Sequence, residues 1–288
     1  MDLVPYPQIF NDVNNQKAEV ILYRPTGESG DFEKANFPIG VEGGKTSTCP
    51  TQNLMEAYDM KDGTPFVWNN QSNPYDNRDP RMKYTIVCNE MKWPVDPVEI
   101  WEGGTNGLPL QNATTTGYYL KKYVNNTISF EAGSTVTKKQ HNWVLFRYGE
   151  ILLNYAEAMI NAFHDPNYKD AVYNMSAREA VNQIRGRTNI SLPGFPSDIT
   201  EKDFVKRLKN ERRVELAFEG HRFWDVRRWK ELGQTANIYG VKITKNNEVI
   251  SYEKFLLETR AVTDNMYFYP IPNTERFKNP NLRQNPGW

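Results

Sequence analysis

The chain has 288 residues, with 35 basic and 35 acidic side chains and a formal net charge of zero. Nucleic-acid binders draw much of their affinity from phosphate neutralisation and show a basic excess or face, so this balance sets that class aside. No apolar run reaches the eighteen residues a transmembrane helix needs, and "MDLVPYPQIF" has neither the basic start nor the apolar stretch of a secretion signal.

Residues 1–142 are rich in Gly, Pro, Asn and Thr. Short strands are predicted in "AEVILYR" (18–24) and "MKYTIVCNE" (82–90). A turn-rich segment this long carries function or packs on another element. "DMKDG" (59–63) lacks the alternating acids and closing Glu of a calcium loop, and predicts a turn with Gly63 at positive φ. Cys49 and Cys88 form one disulfide or remain two thiols; two cysteines do not decide it.

Residues 143–235 read as helical. In "LFRYGEILLNYAEAMINAF", Ile151, Leu152, Tyr155, Ala156, Met159, Ile160 and Phe163 share one face of a 3.6-residue repeat. Ser176 and Glu179 form a capping box before a helix burying Ala177, Ala180, Val181 and Ile184. Thr200 caps a third helix with Phe204, Leu208 and Leu216, which Gly220 ends or bends, and "HRFWDVRRWKEL" resumes the pattern up to Gly233. The expectation is two antiparallel helix pairs. Helical repeats are normally stable only in larger stacks, so the sequence reads as part of something longer.

Within this region "NERRVELAFEGHRFWDVRRW" (210–229) sets five arginines among four acids and four large aromatics. The pairs Arg212–Glu215 and Glu219–Arg222 lie three apart, close enough to bond on a helix. A self-neutralising structural helix is expected here. His221, beside Glu219 and Asp225, is expected to sit in that ion network, not to act as a general base.

Residues 236–288 return to mixed structure. "VKITKNNEVISY" predicts a hairpin turning at Asn246–Asn247. Pro270, Pro272, Pro280 and Pro286 predict an extended, non-helical tail.

Metal-site spacing is missing: His141, His164 and His221 are scattered, and no HExxH, GxGxxG, P-loop or GxSxG occurs, so no metal and no cofactor are expected. That leaves binding. Phe32, Phe37, Trp68, Tyr75 and Trp101 stand in Gly- and Asn-rich surroundings, and "WNNQSNPYDNRDP" joins aromatic faces to side-chain amides, the pairing that sugar hydroxyls and ring faces call for. Core packing is the commoner fate of any one of these rings.

Several long segments together resemble the SusD/RagB family. These are "RYGEILLNYAEAM" (147–159), "VNQIRGRT" (181–188), the arginine-rich stretch 210–229 and "YPIPNTERFKNPNLRQNPGW" (269–288). "LMEAYDMKDGTPFVWNNQSNPYDNRDPRMKYTIV" (54–87) and "GYYLKKYV" (117–124) match in order, so the resemblance runs from about residue 18 to the terminus. It implies a mainly α fold of tetratricopeptide-like helical hairpins with a large irregular region of short strands and hairpins. It also implies a single carboxy-terminal region of a longer, lipid-anchored protein on the outer surface of a Bacteroidetes-type outer membrane. In this chain 1–142 is then the ligand-binding part, 143–235 the scaffold and 236–288 the hairpin and tail.

The function implied is non-catalytic glycan binding, with delivery to a TonB-dependent SusC-like transporter. Membrane attachment would come only through a lipid anchor that this sequence does not show. Alternatives are capture of peptides or another non-sugar nutrient, a glycoside hydrolase, and a scaffold binding protein alone. Trp68 and Trp101 fall in segments common to the family, which favours structural roles; Phe32, Phe37 and Tyr75 fall in more variable ones. If family helices precede this region, the face carrying Ile151, Leu152, Tyr155 and Met159, or that with Val181 and Ile184, should be left uncovered.

Overall fold

The computed structural model describes residues 1–11, 18–70, 73–131 and 137–288. A short helix α1 (Gln8–Asn11) precedes strand β1 (Val20–Ser29), then helices α2 (Asp31–Asn36), α3 (Gln52–Met55) and α4 (Pro80–Thr85). Two-residue strands β2 (Ile86–Val87) and β3 (Tyr119–Leu120) pair with each other, and β4 (Lys139–Arg147) pairs antiparallel with β1. Four helices follow: α5 (Tyr148–Phe163), α6 (Ala177–Arg185), α7 (Glu201–Glu215) and α8 (Arg222–Arg228). The chain closes with hairpin β5 (Asn237–Asn246)–β6 (Val249–Thr259) and helix α9 (Asn273–Lys278).

Helices α5, α6 and α7 share one apolar core. Leu152, Leu153, Ala156, Met159 and Ile160 of α5 meet Ala177, Ala180, Val181 and Ile184 of α6 and Phe204 and Leu208 of α7. The caps are those the sequence predicts: Ser176 accepts from the Glu179 amide while Glu179 accepts from the Ser176 amide, and Thr200 accepts from Asp203. Instead of two equal helix pairs, α8 is only seven residues long and packs on a 3-10 turn at Leu232–Thr235. Leu216 caps α7, and Phe218 and Gly220 at positive φ turn the chain into α8.

Most of the face expected to be uncovered is covered, with Ile151 and Tyr155 half-buried. Leu152, Met159, Val181 and Ile184 are 1%, 4%, 0% and 0% exposed. Leu3, Tyr148, Tyr168, Met175, Phe195 and Ile199 supply the cover from within the chain.

Strand β1 runs Val20–Ser29 where 18–24 was expected, and boundaries differ in four further places. Helix α5 begins at Tyr148, because "QHNWVLFR" extends as β4 to pair with β1. "MKYTIVCNE" is strand only at Ile86–Val87; Asp79 caps and Pro80 starts helix α4 through its first half. The hairpin turns one residue later, at Asn247–Glu248, since Asn246 still pairs with Val249. The tail is not wholly extended: α9 fits between Pro272 and Pro280, with Pro272 outside its first turn where no amide is missed.

The loop-rich part has its own core. Met55, Tyr58, Met82, Ile86, Tyr118 and Tyr119 are 0% exposed, and Val241, Ile243 and Tyr252 of the hairpin pack onto them. Gly63 takes φ +82 in the predicted turn. Cys49 and Cys88 are separate thiols, and burial pushes the Cys88 thiol up to about 12.

Candidate functional site

The arginine-rich stretch pairs with itself only at Asp225, which accepts from Arg212 and Arg228, and not through the two pairs expected. Its three glutamates face inward and accept from cations on other elements. Glu215 accepts from Arg81 at 2.8 Å, Arg147 at 2.8 Å and Arg187 at 2.7 Å. Glu219 accepts from Arg147 at 2.7 Å and from Lys122 at 2.7 Å, and Glu211 from Arg81 at 2.6 Å and Arg185 at 2.8 Å. Arg212 bonds Asp225 at 2.8 Å, and Arg222 bonds Gln234, so Arg212–Glu215 and Glu219–Arg222 are not pairs.

Burial alone would raise the Glu215 pKa, but Arg187, Arg147 and Arg81 outweigh it and hold the carboxyl well below the usual range. Lys122 goes the other way: burial, opposed by Glu219, lowers it to about 8. Gly149 lets this seam close, since a Cβ there would stand 2.4 Å from Arg147 Nη1. Among the described residues the network's carboxylates are buried, and it joins the β1–β4 ribbon, the loop-rich part and the helices. His221 belongs to its margin, 3.6 Å from Glu150 Oε2, with its pKa lowered chiefly by burial.

The five sequence-predicted aromatics are not brought together. Tyr75 is 7% exposed and stacks edge-on against Tyr118 and Tyr252, so it offers no ring to a ligand. Phe37, 1% exposed, is likewise a core residue, packed against Trp93 and Phe130. Phe32 is half-buried edge-on to His141 and Trp143. Trp101 is half-buried with Lys245 Nζ 4.2 Å over its ring, and Trp68 is half-buried beside Phe66 with its indole N–H on Asn70.

A cleft of about 690 Å³ opens in the loop-rich part, with Phe37 and Trp93 under its floor and Phe130 on its wall. Its rim carries Asp96, Glu99, Thr105, Asn106, Asn126 and Thr127, and no Lys or Arg among the described residues. The rim is held by local bonds. Asn106 Oδ1 accepts from the Gly40 amide at 2.8 Å, Thr105 Oγ1 donates to Glu99 at 3.2 Å, and Asn125 Oδ1 accepts from Thr127 at 2.8 Å. Acceptor carboxylates and amides above an apolar floor suit a neutral ligand rich in hydroxyl donors. Sequence reasoning passed over Trp93, Asn126 and Phe130; the amide-rich "VNNTISF" (124–130) was the available signal.

Among the described residues no group of three or more His, Cys, Asp or Glu side chains is placed to hold a metal ion, and no helix is long and apolar enough to cross a membrane.

Comparison with known proteins identifies this architecture. The family model described as the SusD family matches residues 9–288. SusD-like protein P2 of Formosa agariphila is 29% identical over 163 residues, 54% of this chain and 28% of that relative. A SusD-like protein of Bacteroides fragilis superposes with a TM-score of 0.80 at 26% identity, covering 98% of this chain and 57% of that one. A structure from the same species, described as a SusD-like carbohydrate binding protein, gives 0.78 at 24% identity, covering 98% and 58%, which bears on the fold alone. The chain thus spans less than two thirds of each of these relatives.

Proposed function

Because the chain belongs to the SusD family, we propose that it binds oligo- or polysaccharides without turning them over. In this reading the whole protein sits at the outer surface of the outer membrane and hands captured glycan to a TonB-dependent SusC-like transporter. The observation that supports binding by this region is the cleft over Phe37 and Trp93, with its amide, hydroxyl and carboxylate rim and its half-buried Phe130 wall. Sugar hydroxyls donate to Asp96 and Glu99, and one sugar face lies on the Phe130 ring.

Calorimetric titration with a panel of neutral oligosaccharides tests this reading. Stacking contributes about 0.5–1.5 kcal/mol between aromatic rings, and a sugar face on Phe130 is taken to gain a similar amount. Phe130→Ala and Asn126→Ala should therefore weaken binding several-fold, while Tyr75→Phe leaves it unchanged. Binding of a peptide digest with no saccharide bound would overturn it. Delivery is tested separately, by whether the full-length protein co-purifies with a co-expressed SusC-like transporter.

A further inference from the structure

A second cleft, of about 460 Å³, lies between helix α7, the start of α8 and the loop at residues 56–66. Its lining carries Lys202, Lys206, Lys209 and Arg213, spaced four, three and four apart along one face of α7. Arg207 and Arg222 join them. Like charges four apart destabilise a helix, and of this stripe only Lys209 finds a carboxylate within the protein, so most of the cost to α7 is not relieved by pairing.

Three acids line the same cleft, and each is already engaged. Glu56 pairs with Lys254 at 2.7 Å, Glu231 with Lys209 at 2.5 Å, and Asp59 with Arg185 at 3.5 Å and Arg207 at 3.8 Å. Among the described residues, Lys202, Lys206, Arg213 and Arg222 have no carboxylate within ion-pair distance. Arg213 donates to the Asn53 carbonyl at 2.8 Å and Arg222 to Gln234 at 2.8 Å, which leaves most of the donors of each guanidinium for another acceptor. Both arginines are half-buried, and burial with mutual repulsion lowers the Arg213 pKa to about 10. One wall is apolar: Pro65 and the Phe66 ring, with the Arg78 guanidinium 3.6 Å from its centre on one face.

We propose that this cleft binds the anionic groups of an acidic oligosaccharide, a carboxylate or a sulfate ester, on Arg213, Arg222, Lys202 and Lys206. The proposal rests on the glycan-binding reading and adds the ligand's charge and a second place of contact. The two clefts divide the work: the first has a cation-free rim and takes hydroxyls, the second has surplus cations and takes charge.

The test is a calorimetric series at low salt with trigalacturonate, a sulfated carrageenan tetrasaccharide, its desulfated form, maltohexaose and inorganic sulfate. The expected result is at least tenfold tighter binding of an acidic probe than of the neutral sugars, weakening as salt rises. Tight binding of trigalacturonate alone assigns a carboxylate, and of the carrageenan fragment alone a sulfate ester. Lys202→Gln with Lys206→Gln should weaken the acidic probe about tenfold, as should Arg222→Gln, each with an unchanged melting curve and unchanged maltohexaose binding. Acidic probes that bind no tighter than neutral ones, or that ignore these substitutions, overturn the proposal. Neutral sugar binding then still stands by itself. Inorganic sulfate bound in an Arg222-dependent way, with no saccharide bound at all, would instead remove the glycan reading and its acidic-sugar extension together.

Discussion

Arg147 Nη1 lies 2.8 Å from Glu215 Oε1, with the two side chains 1% and 0% exposed. Arg147 ends β4 and Glu215 ends α7, so this bond ties the ribbon to the helical core. Removing one partner of a buried ion pair costs roughly 3–5 kcal/mol, because the remaining charge stays buried. Glu215→Gln takes a shared carboxylate from Arg81, Arg147 and Arg187, which keep Asp79 and Glu211, Glu19 and Glu219, and Glu19 respectively, so its cost should sit at the low end, about 3 kcal/mol. Lys278→Ala, which breaks an exposed pair with Glu275, should cost under about 0.5 kcal/mol. Urea unfolding of both variants checks the contrast, and equal midpoint shifts would refute it.

Acid should loosen the same seam. Glu211, Glu215 and Glu219 all have pKa values lowered in the fold, burial being overcome by the facing cations. A depressed carboxylate contributes stability that is complete above its unfolded pKa, about 4.3, and is lost as pH falls from there toward the folded value. Each such group adds at most about 1.4 kcal/mol per pH unit to the slope. Stability measured from pH 5 to pH 2 should therefore fall steeply, and Glu215→Gln should flatten the fall by about one proton's worth. An unchanged slope would mean that Glu215 does not titrate with unfolding.

How far these features were legible follows from range. The capping box at Ser176–Glu179 and the apolar face of α5 are local patterns, and the structure keeps them. Partner choice in the ion network is not local: Glu215 bonds Arg81, 134 residues away, and Arg187, 28 away, while Arg212 three positions off turns to Asp225. Helix spacing offered a nearby partner, and tertiary packing supplied a buried one. The placement of the aromatics was hidden for a related reason. Phe37 and Tyr75 sit in turn-rich sequence that resembles surface, yet that sequence folds over its own core and takes them inside. The α7 cation stripe was written at helical spacing in "EKDFVKRLKNERR", but its surplus over nearby acids appears only once Glu231 is seen to serve Lys209 alone and Asp59 and Glu56 to be engaged elsewhere.

Absence of turnover is a separate expectation. Asp96 and Glu99 share the first cleft, and a hydrolase would need such a pair to flank a glycosidic bond. Glu99 instead accepts from the Thr105 hydroxyl at 3.2 Å and its backbone amide at 3.4 Å, which turns that carboxylate toward its own loop. Prolonged incubation with any polysaccharide that binds should release no new reducing ends. Release that Glu99→Gln or Asp96→Asn abolishes would establish an enzyme.

The second cleft should be sensitive to pH through Asp59. Burial raises its pKa to about 6; Glu211 and Asp79 add to the rise, while Arg185 and Arg207 oppose it. Above pH 6 the carboxylate is charged and repels a bound anion; below it the group is neutral and the cleft gains one net positive charge. A sulfate ester stays ionised throughout, so its affinity should climb several-fold from pH 7.5 to pH 5. By linkage, the bound anion should raise the Asp59 pKa in return. Asp59→Asn removes the titrating charge and should hold affinity near its low-pH value at both ends of the range. Calorimetry with the sulfated tetrasaccharide at pH 5 and pH 7.5, on both proteins, reads the effect. A wild-type affinity that does not change, or one that still climbs in Asp59→Asn, would place the sensitivity elsewhere.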